Sequence, residues 1–320
     1  MSRVIVVGAG HWGKNLVQNF YELGALAGVV ELSTELREKV VQQYPDLEVY
    51  ADFQKALGSE AQGIVIATPA PTHYSLALAV LEAGKDVFVE KPMTLKASEA
   101  QALAEYADQQ GRILMVGHLL LYQGAIAWMR NYLAMGKAGK VLHVSTRRTK
   151  LGRVRREENV WWSFAPHDVS VVLELLGQPK LKQVKAAGRA MLQPRVADDV
   201  DVALTFAGGQ TAHIHCSWYA PLLERKTTVI GSQEMLVYEE VSGQVTVYQK
   251  TVDQALQNQD RGSWLAKFDS PPPLRQECQH FLDCIEQRHP PRSDGWNGVA
   301  VVNILEQVQH DLEGEIPWKS

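Results

Sequence analysis

The chain has 320 residues, of which 46% are hydrophobic and 21% are charged, values typical of a soluble globular protein with one large domain or two ordinary ones. Its net charge of -4 argues against the basic surface that binds nucleic acid and the polybasic arm that binds membranes. No segment approaches the roughly 20 apolar residues of a membrane helix, and the first apolar run is too short for a signal peptide, so we expect a cytoplasmic protein.

The three cysteines, Cys216, Cys278 and Cys284, form no metal-binding pattern and cannot all pair in disulfides. The simplest expectation is that each is a small buried side chain in a protein of a reducing compartment. No metal site is predicted.

The first 120 residues alternate short apolar segments with helical patterns. Five segments rich in valine and isoleucine are predicted strands, at residues 3–7, 27–30, 63–67, 86–89 and 113–116. Such continuous apolar runs are typical of strands buried on both faces of a parallel sheet. We therefore predict an α/β Rossmann domain, a doubly wound parallel sheet flanked by helices, over residues 1–120.

A glycine motif follows the first predicted strand and precedes a helix. The segment Gly8-Ala9-Gly10-His11-Trp12-Gly13 matches the GxGxxG fingerprint of dinucleotide-binding domains. Gly8 permits the tight turn, Gly10 lets the backbone approach a pyrophosphate, and Gly13 lets the helix pack closely against the strand. The N-terminus of the helix offers free N–H groups to the phosphates.

An acidic residue, Glu31, closes the second predicted strand. The fingerprint places an acid about 20 residues after the glycines, where it bonds the ribose hydroxyl. A carboxylate there repels a 2′-phosphate, so the sequence favours NAD over NADP. Arg37 lies close enough on the next predicted helix to keep NADP open.

Two further segments follow predicted strands at the C-terminal edge of the sheet, where such sheets bind ligands. One contains Thr68, Pro69 and His73, and the other is Glu90-Lys91-Pro92. A lysine at this edge would face the nicotinamide, and its ammonium could stabilise a developing alkoxide on the substrate. By spacing alone, an ordinary surface lysine beside Glu90 is the simpler interpretation.

After about residue 120 the pattern changes. A helix is predicted over residues 124–134, and strands with period-two alternation dominate to about residue 250, with a hairpin turn at Gly208-Gly209. Two helices follow the break at residues 270–273, and their apolar stripes include Phe281 and Ile304. These elements predict a second, α+β domain over residues 121–320 with an antiparallel sheet.

A locally basic stretch runs through this second domain, formed by Arg147, Arg148, Lys150, Arg153, Arg155 and Arg156. Arginine binds phosphate or carboxylate with two parallel hydrogen bonds, so the stretch could hold a nucleotide diphosphate or a sugar carboxylate. A solvated loop or a subunit contact is the other interpretation.

His167 is the second candidate for chemistry, because histidine can take up a proton near neutral pH. Its neighbour Asp168 could orient the ring or cap the following helix. A satisfied core histidine is the simpler interpretation. Composition alone leaves six competitors for the role, namely His11, His73, His118, His143, His213 and His215.

Four motifs occur in the order and spacing of the glucose-fructose oxidoreductase / inositol dehydrogenase / MocA family, which the chain resembles over essentially its whole length. They are GAGHWG, ATPAPTH, VEKPM and GH-LLLY. The stretch over residues 152–168, GRVRREENVWWSFAPHD, resembles the nucleotide-sugar branch of that family. The resemblance implies a Rossmann domain followed by a substrate-binding α+β domain whose open, mostly antiparallel sheet makes dimer or tetramer contacts.

The resemblance also implies roles for individual residues. Lys91 matches the lysine of the family's EKP motif, which contacts the nicotinamide ribose and the substrate, and His167 matches the usual acid/base. Both are therefore predicted to be catalytic. The predicted cofactor-binding residues are Gly8, Gly10, His11, Trp12, Gly13, Glu31, Thr68, Pro69, His73, Glu90 and Lys91. The predicted substrate-binding residues are Lys91, Tyr122, Arg153, Arg155, Asn159, Trp162 and His167.

For the reaction, the resemblance implies NAD-dependent oxidation of the 3-hydroxyl of UDP-N-acetylglucosamine. The 3-keto product would feed an aminotransferase on a route to 3-amino sugars of lipid A or surface polysaccharide. Three alternatives stay open. The substrate could be the corresponding uronate, the enzyme could reduce an imine or a free sugar with NADPH, or the protein could be a dinucleotide sensor or scaffold without catalysis.

Overall fold

The computed structural model describes residues 2–315 as two compact units. Unit 1 comprises residues 2–122 together with Pro271–Asn303, and unit 2 comprises Gln123–Ser270 together with residues 304–315. The structure thus differs from the predicted division of the chain, which assigned all of residues 121–320 to the second domain.

The elements are numbered here in chain order. The strands are β1 (Val4–Val7), β2 (Leu26–Val30), β3 (Glu48–Tyr50), β4 (Gly63–Ile66), β5 (Asp86–Glu90), β6 (Leu114–Gly117), β7 (Val141–Thr149), β8 (Leu181–Arg189), β9 (Asp199–Phe206), β10 (Thr211–Ser217), β11 (Glu224–Gly231), β12 (Met235–Glu239), β13 (Gln244–Val252) and β14 (Asn258–Leu265). The helices are α1 (Gly13–Glu22), α2 (Thr34–Gln43), α3 (Phe53–Leu57), α4 (His73–Glu82), α5 (Ala97–Gln109), α6 (Gly124–Ala134), α7 (Val160–Leu176), α8 (Pro273–Gln287) and α9 (Gly295–Glu315). Short 3-10 turns cover Ala70–Thr72 and Leu119–Tyr122.

Unit 1 contains a six-stranded parallel sheet in the order β3-β2-β1-β4-β5-β6. Every residue of β1, β4, β5 and β6 is buried, as the continuous apolar runs predict. The strand order reverses between β1 and β4, which are neighbours in the sheet. Ligands of doubly wound sheets bind at the carboxyl ends of the strands at such a reversal. A ligand-binding site is therefore expected at the loops after β1 and β4.

Helix α8 belongs to unit 1 because its apolar stripe packs against the sheet. The rings of Phe281 and Phe88 lie 5.7 Å apart between their centroids. A Cβ at Gly63 of β4 would come within 2.9 Å of Ile285 and 3.1 Å of Phe281. The sequence predicted this apolar stripe, but the pattern alone does not show which of the two sheets the helix packs against.

Unit 2 contains an eight-stranded sheet in the order β14-β13-β12-β11-β7-β10-β9-β8. All neighbours are antiparallel except β7 and β10, so the predicted open, mostly antiparallel sheet is confirmed. Gly208-Gly209 lies in the turn between β9 and β10, where Gly209 has a φ of 82°. Glycine takes that left-handed conformation without a steric cost.

All three cysteines are buried and free, as expected from their number and spacing. Over residues 2–315, no helix combines the length and apolar character that crossing a bilayer demands. The longest helix, α9, has 21 residues.

Candidate functional site

The glycine loop after β1 has the close contacts that its motif predicts. Gly8 has a φ of 94°, and a Cβ there would lie 2.9 Å from the carbonyl oxygen of Ala67. A Cβ at Gly13 would lie 2.0 Å from the carbonyl oxygen of Gly8. A Cβ at Gly10, in contrast, would meet nothing within 4 Å. Two glycines are thus required by packing, and the third borders open space.

The open space beside Gly10 faces the start of α1. Among the described residues, no side chain caps this helix at Trp12, and its first turn contains no acidic residue. The N–H groups of Lys14 and Asn15 donate to the carbonyl oxygens of Gly10 and Trp12, so the helix end attracts an anion through its partial positive charge. This combination fits the pyrophosphate of a dinucleotide.

Glu31 directly follows β2 and is held by backbone donors. Its Oε2 accepts a hydrogen bond from Ala9 N at 2.7 Å, and its Oε1 accepts one from Ser33 N at 2.9 Å. Arg37 donates to the carbonyl oxygens of Glu31 and Leu32 at 2.9 and 2.7 Å. The carboxylate therefore lies beside the glycine loop, where it suits a ribose hydroxyl better than a 2′-phosphate.

His73 connects the loops that follow β4 and β5. Its Nδ1 lies 2.7 Å from the carbonyl oxygen of Pro92, and its Nε2 lies 2.9 Å from that of Thr68. The ring is 1% exposed, and burial lowers its pKa below the usual value. Both ring nitrogens thus face protein carbonyls. His73 thus holds the two loops together, and its predicted cofactor contact stays a prediction.

Glu90, the last residue of β5, forms a hydrogen bond with the glycine loop. The indole N–H of Trp12 donates to Glu90 Oε1, and Lys91 N donates to Glu90 Oε2 at 3.2 Å. The side chain is buried, and this burial raises the pKa of Glu90 to about 7 against the opposing effects of Trp12 and Lys91. The carboxyl group of Glu90 thus anchors Trp12, and the predicted contact of Glu90 with the cofactor stays a prediction.

Lys91 leaves β5 at the carboxyl edge of the sheet and precedes Pro92 through a cis peptide bond. His118, directly after β6, is 1% exposed, and neither of its ring nitrogens has a hydrogen-bond partner within residues 2–315. Burial, and next the charge of Lys91, lower the pKa of His118 to about 3. The imidazole of His118 is therefore neutral at pH 7 and adds no charge beside the Lys91 ammonium.

His167 lies in the middle of α7, in unit 2. Most of this helix is buried, whereas Trp162, Phe164 and His167 are only partly buried. Pro166 stands inside the helix, and the hydroxyl of Ser170 donates to the carbonyl oxygen of His167 at 2.8 Å. On this helix His167 shares a side with Phe164, which lies three residues before it.

Asn159 and Trp162, both predicted to bind substrate, make contacts inside unit 2. Asn159 is the N-cap of α7, and its Oδ1 accepts a hydrogen bond from Trp162 N at 3.1 Å. Gln309 Oε1 accepts from Asn159 Nδ2 at 2.8 Å and from the Trp162 indole at 3.2 Å. These contacts fix the start of α7.

Asp168 lies inside α7, where its carboxylate pairs with a buried arginine. Its Oδ2 accepts a hydrogen bond from Arg148 Nε at 2.7 Å, and Arg148 also donates to Glu240 Oε2 at 3.0 Å. Arg148 was part of the predicted anion-binding stretch. The structure corrects this prediction, because the side chain is buried and held by two carboxylates.

The other arginines of the stretch remain near solvent. Arg153 and Arg155 are exposed in the segment before α7, and Arg155 pairs with Glu158 at 2.9 Å. Tyr122, in contrast, is buried in unit 1, where its hydroxyl lies 3.1 Å from Ser293 Oγ. Tyr122 is thus enclosed in unit 1, whereas Arg153 and the paired Arg155 lie near solvent, and the substrate contacts predicted for all three stay predictions.

Sequence reasoning missed Glu277, a fully buried carboxyl group of α8. The signal was present, since Glu277, Phe281 and Ile285 are spaced by four residues and so share one face of the helix. An ionisable residue that falls in the apolar stripe of a helix is predicted to be buried with that stripe.

Family models match most of the chain. Residues 2–118 match the model described as "Oxidoreductase family, NAD-binding Rossmann fold", and residues 126–237 match the "GFO/IDH/MocA C-terminal domain". Unit 1 therefore carries an NAD-binding Rossmann domain, and the predicted fold and cofactor are confirmed. The loops around Gly10 and Glu31 are the part of this domain that fits the dinucleotide.

Individual relatives extend this likeness over the whole chain. A UDP-N-acetylglucosamine 3-dehydrogenase of Acidithiobacillus ferrooxidans is 26% identical over 320 residues, 97% of each chain. A scyllo-inositol 2-dehydrogenase (NAD(+)) of Bacillus subtilis is 26% identical over 248 residues, 71% of this chain and 68% of the relative.

Solved structures share the fold. That of the Acidithiobacillus ferrooxidans UDP-N-acetylglucosamine 3-dehydrogenase superposes with a TM-score of 0.86 at 23% identity and covers 98% of each chain. GenD2 from gentamicin A biosynthesis, in complex with NAD, gives a TM-score of 0.81 at 24% identity over 97% of this chain and 94% of that chain.

Proposed function

Since the chain belongs to the glucose-fructose oxidoreductase / inositol dehydrogenase / MocA family of oxidoreductases, we propose that it oxidises the 3-hydroxyl of UDP-N-acetylglucosamine to a ketone with NAD. The observation that carries this proposal is the continuous match to a UDP-N-acetylglucosamine 3-dehydrogenase over 97% of both chains. The inositol dehydrogenases that also match cover less of this chain.

Two residues carry the chemistry in this proposal. When bound, the nicotinamide of NAD accepts the hydride from carbon 3 of the sugar. His167 removes the hydroxyl proton, and the Lys91 ammonium stabilises the alkoxide that develops as the proton leaves. The position of Lys91 at the carboxyl edge of the NAD-binding sheet and the partly exposed position of His167 on α7 support these roles.

The proposed recognition of the substrate involves the exposed segment before α7. Arg153 and Arg155 provide cationic forks for the diphosphate, and Trp162 offers an aromatic face to the sugar. Because the same arginines suit a carboxylate, UDP-N-acetylglucosaminuronate is the second candidate substrate.

Steady-state oxidation of the two UDP sugars, followed by NADH absorbance, decides between them. We expect a kcat/KM at least tenfold higher for UDP-N-acetylglucosamine, and a higher value for the uronate would select the second candidate. Faster turnover with NADPH and a free sugar would select reduction instead. A protein that binds NADH and turns over none of these compounds would be a sensor or scaffold.

Variants of Lys91 and His167 test the chemistry. Lys91→Ala and His167→Ala should each lower kcat by at least a factor of about 100 while NADH still binds, because each removes a group that acts on the reacting oxygen. The matched controls are Lys96→Ala and His310→Ala, whose side chains are 67% and 71% exposed. Normal turnover by either active-site variant would remove that residue from its proposed role.

The setting of the reaction is part of the same proposal. A 3-keto sugar nucleotide is a substrate for an aminotransferase, so we place the protein before such an enzyme on a cytoplasmic route to 3-amino sugars of lipid A or surface polysaccharide. We also propose a homodimer or homotetramer formed through the open sheet of unit 2. Light scattering after size exclusion measures this mass directly, and a monomer would contradict it.

A further inference from the structure

Helix α8 buries a carboxyl group without a partner. Glu277 is 0% exposed, and over residues 2–315 neither of its carboxylate oxygens has a hydrogen-bond partner. An ionised carboxylate in such surroundings loses its hydration and gains nothing in return. The proton-bearing form avoids most of this cost, so complete burial by itself favours a neutral Glu277.

A second carboxyl group lies on the same side of the sheet. Side chains two residues apart on a strand share a face, so Glu90 points to the side on which Phe88 packs against Phe281 of α8. Glu277 precedes Phe281 by one helical turn and so faces this side as well. Two carboxyl groups thus lie on the side of β5 that faces α8. Ionising both of them would cost free energy, because two like charges would be buried near each other.

The groups around the two carboxyls distinguish them. Glu90 accepts hydrogen bonds from the Trp12 indole and from Lys91 N, and both bonds favour its ionised form. No ion pair reaches Glu277 within the described part of the chain. On α8, Arg275 pairs with Glu22 at 3.6 Å, and burial lowers the pKa of His280 to about 4.

The remaining titratable neighbours supply no positive charge to Glu277. Burial raises the pKa of both Tyr122 and Cys278, so these groups stay neutral. Arg292 lies over the ring of Tyr122 at 5.1 Å from its centroid. Burial and then the charge of Glu90 raise the pKa of Glu277 well above its usual range.

We propose that Glu277 keeps its proton at neutral pH, so that any negative charge of the pair lies on Glu90 and Glu277 is a positioning residue for the cofactor loop. It acts through Glu90 on Trp12, which lies in the glycine loop at the start of α1. If Glu277 lost its proton to solvent as pH rises, a second negative charge would lie beside Glu90, and the repulsion between the two carboxylates would hold Glu90 and the indole less firmly in place. The inference concerns NAD binding and does not depend on which sugar is oxidised.

Fluorescence titrations of NADH with the full-length protein test the proposal between pH 6.5 and 9.5. Glu277→Gln should bind NADH within twofold of the wild type at pH 7, because a neutral amide replaces a neutral acid. Above the pH at which Glu277 ionises, the wild type should lose affinity relative to Glu277→Gln, by at least fivefold at pH 9.5. Glu90→Gln should weaken binding at pH 7. Parallel wild-type and Glu277→Gln profiles, or loss of NADH binding by Glu277→Gln at pH 7, would overturn the proposal.

The pH dependence of unfolding gives a second readout. The native state binds the Glu277 proton above pH 5, whereas the unfolded chain has released it, so stability must fall as pH rises. We expect the folding equilibrium constant of the wild type to drop about tenfold per pH unit relative to Glu277→Gln between pH 5.5 and 6.5. Equal slopes would contradict a protonated Glu277.

Infrared spectroscopy of the wild type examines the proton directly and does not require a variant that folds. The carbonyl band of a protonated carboxylic acid should be present at pH 7.5 and missing from Glu277→Gln. The matched control is Glu286→Gln on the exposed side of the same helix, which should keep the band and the wild-type NADH profile. Absence of the band from the wild type at pH 7.5 would reject the proposal.

Discussion

The two units bury ionisable groups in opposite ways. In unit 2, Arg148 is held between Asp168 and Glu240, so each buried charge has a partner of opposite sign. In unit 1, Glu277 has no such partner among the described residues, and it lies on the same side of the sheet as Glu90. The first arrangement connects side chains of β7 and α7 with Glu240, the residue that follows β12. The second lies under the glycine loop, and it shows that this protein tolerates an unfavourable charge environment where the cofactor binds.

The largest expected effect comes from breaking the compensated cluster. Arg148→Met should lower the free energy of unfolding by about 3–5 kcal/mol, because Asp168 would remain buried without its cation and Glu240 would keep only Arg225, at 3.0 Å. Urea unfolding followed by circular dichroism measures the change. The neighbouring Arg147, half exposed and paired with Glu224 at 3.3 Å, gives the control, and Arg147→Met should cost no more than about 1 kcal/mol. Equal costs would show that Arg148 is not the centre of this cluster.

Two glycines of the loop allow the effect of packing on stability to be distinguished from the effect on NADH binding. Gly13→Ala should lower both stability and NADH affinity, the latter by at least about 100-fold, since its Cβ would lie 2.0 Å from the Gly8 carbonyl oxygen. Gly10→Ala meets no protein atom within 4 Å and should unfold like the wild type. It should nevertheless bind NADH at least tenfold more weakly, because its methyl group occupies the approach of the pyrophosphate. Unchanged NADH binding by Gly10→Ala would show that the dinucleotide does not use this loop.

A smaller effect is expected at the ribose end of the cofactor site. Glu31→Ala removes the carboxylate beside Ala9 and leaves Arg37 nearby, so the ratio of NADH to NADPH affinity should fall about tenfold, or about 1.4 kcal/mol. Paired titrations with the two cofactors measure this ratio. A ratio equal to that of the wild type would mean that Glu31 does not select the cofactor.

The smallest effect concerns the start of α7. Asn159→Ala removes the N-cap and should cost about 1 kcal/mol in unfolding free energy. Asn159→Asp keeps a capping oxygen and should recover most of that loss. If Asn159 only caps the helix, both variants keep the KM of the sugar substrate. A KM that rises at least fivefold in Asn159→Asp, with stability restored, would return Asn159 to the substrate site.

Much of unit 1 could be predicted because its signals are local. The valine and isoleucine runs and the spacing of Gly8, Gly10 and Gly13 predict a Rossmann domain, since each glycine answers a steric demand of its immediate backbone. The acid at position 31 follows from the same fingerprint. Stripe and alternation patterns likewise predict the helices and the mostly antiparallel sheet of unit 2.

The roles of individual polar residues could not be predicted in the same way. Arg148 and Arg147 are neighbours in the chain, yet one is buried with two carboxylates and the other lies half exposed on the opposite side of β7. Helix α8 folds into unit 1, although the sequence places it after unit 2. His73 faces two carbonyl oxygens and Tyr122 faces Ser293, a residue 171 positions away.

The sequence by itself determined the two kinds of sheet, the NAD-binding Rossmann domain and its glycine loop, because backbone sterics and side-chain periodicity act over a few residues. Only the tertiary structure decided which charges are buried and what they contact. The free energy of a buried ionisable group depends on neighbours that arrive from distant parts of the chain, as Glu240 does for Arg148 and Glu90 for Glu277.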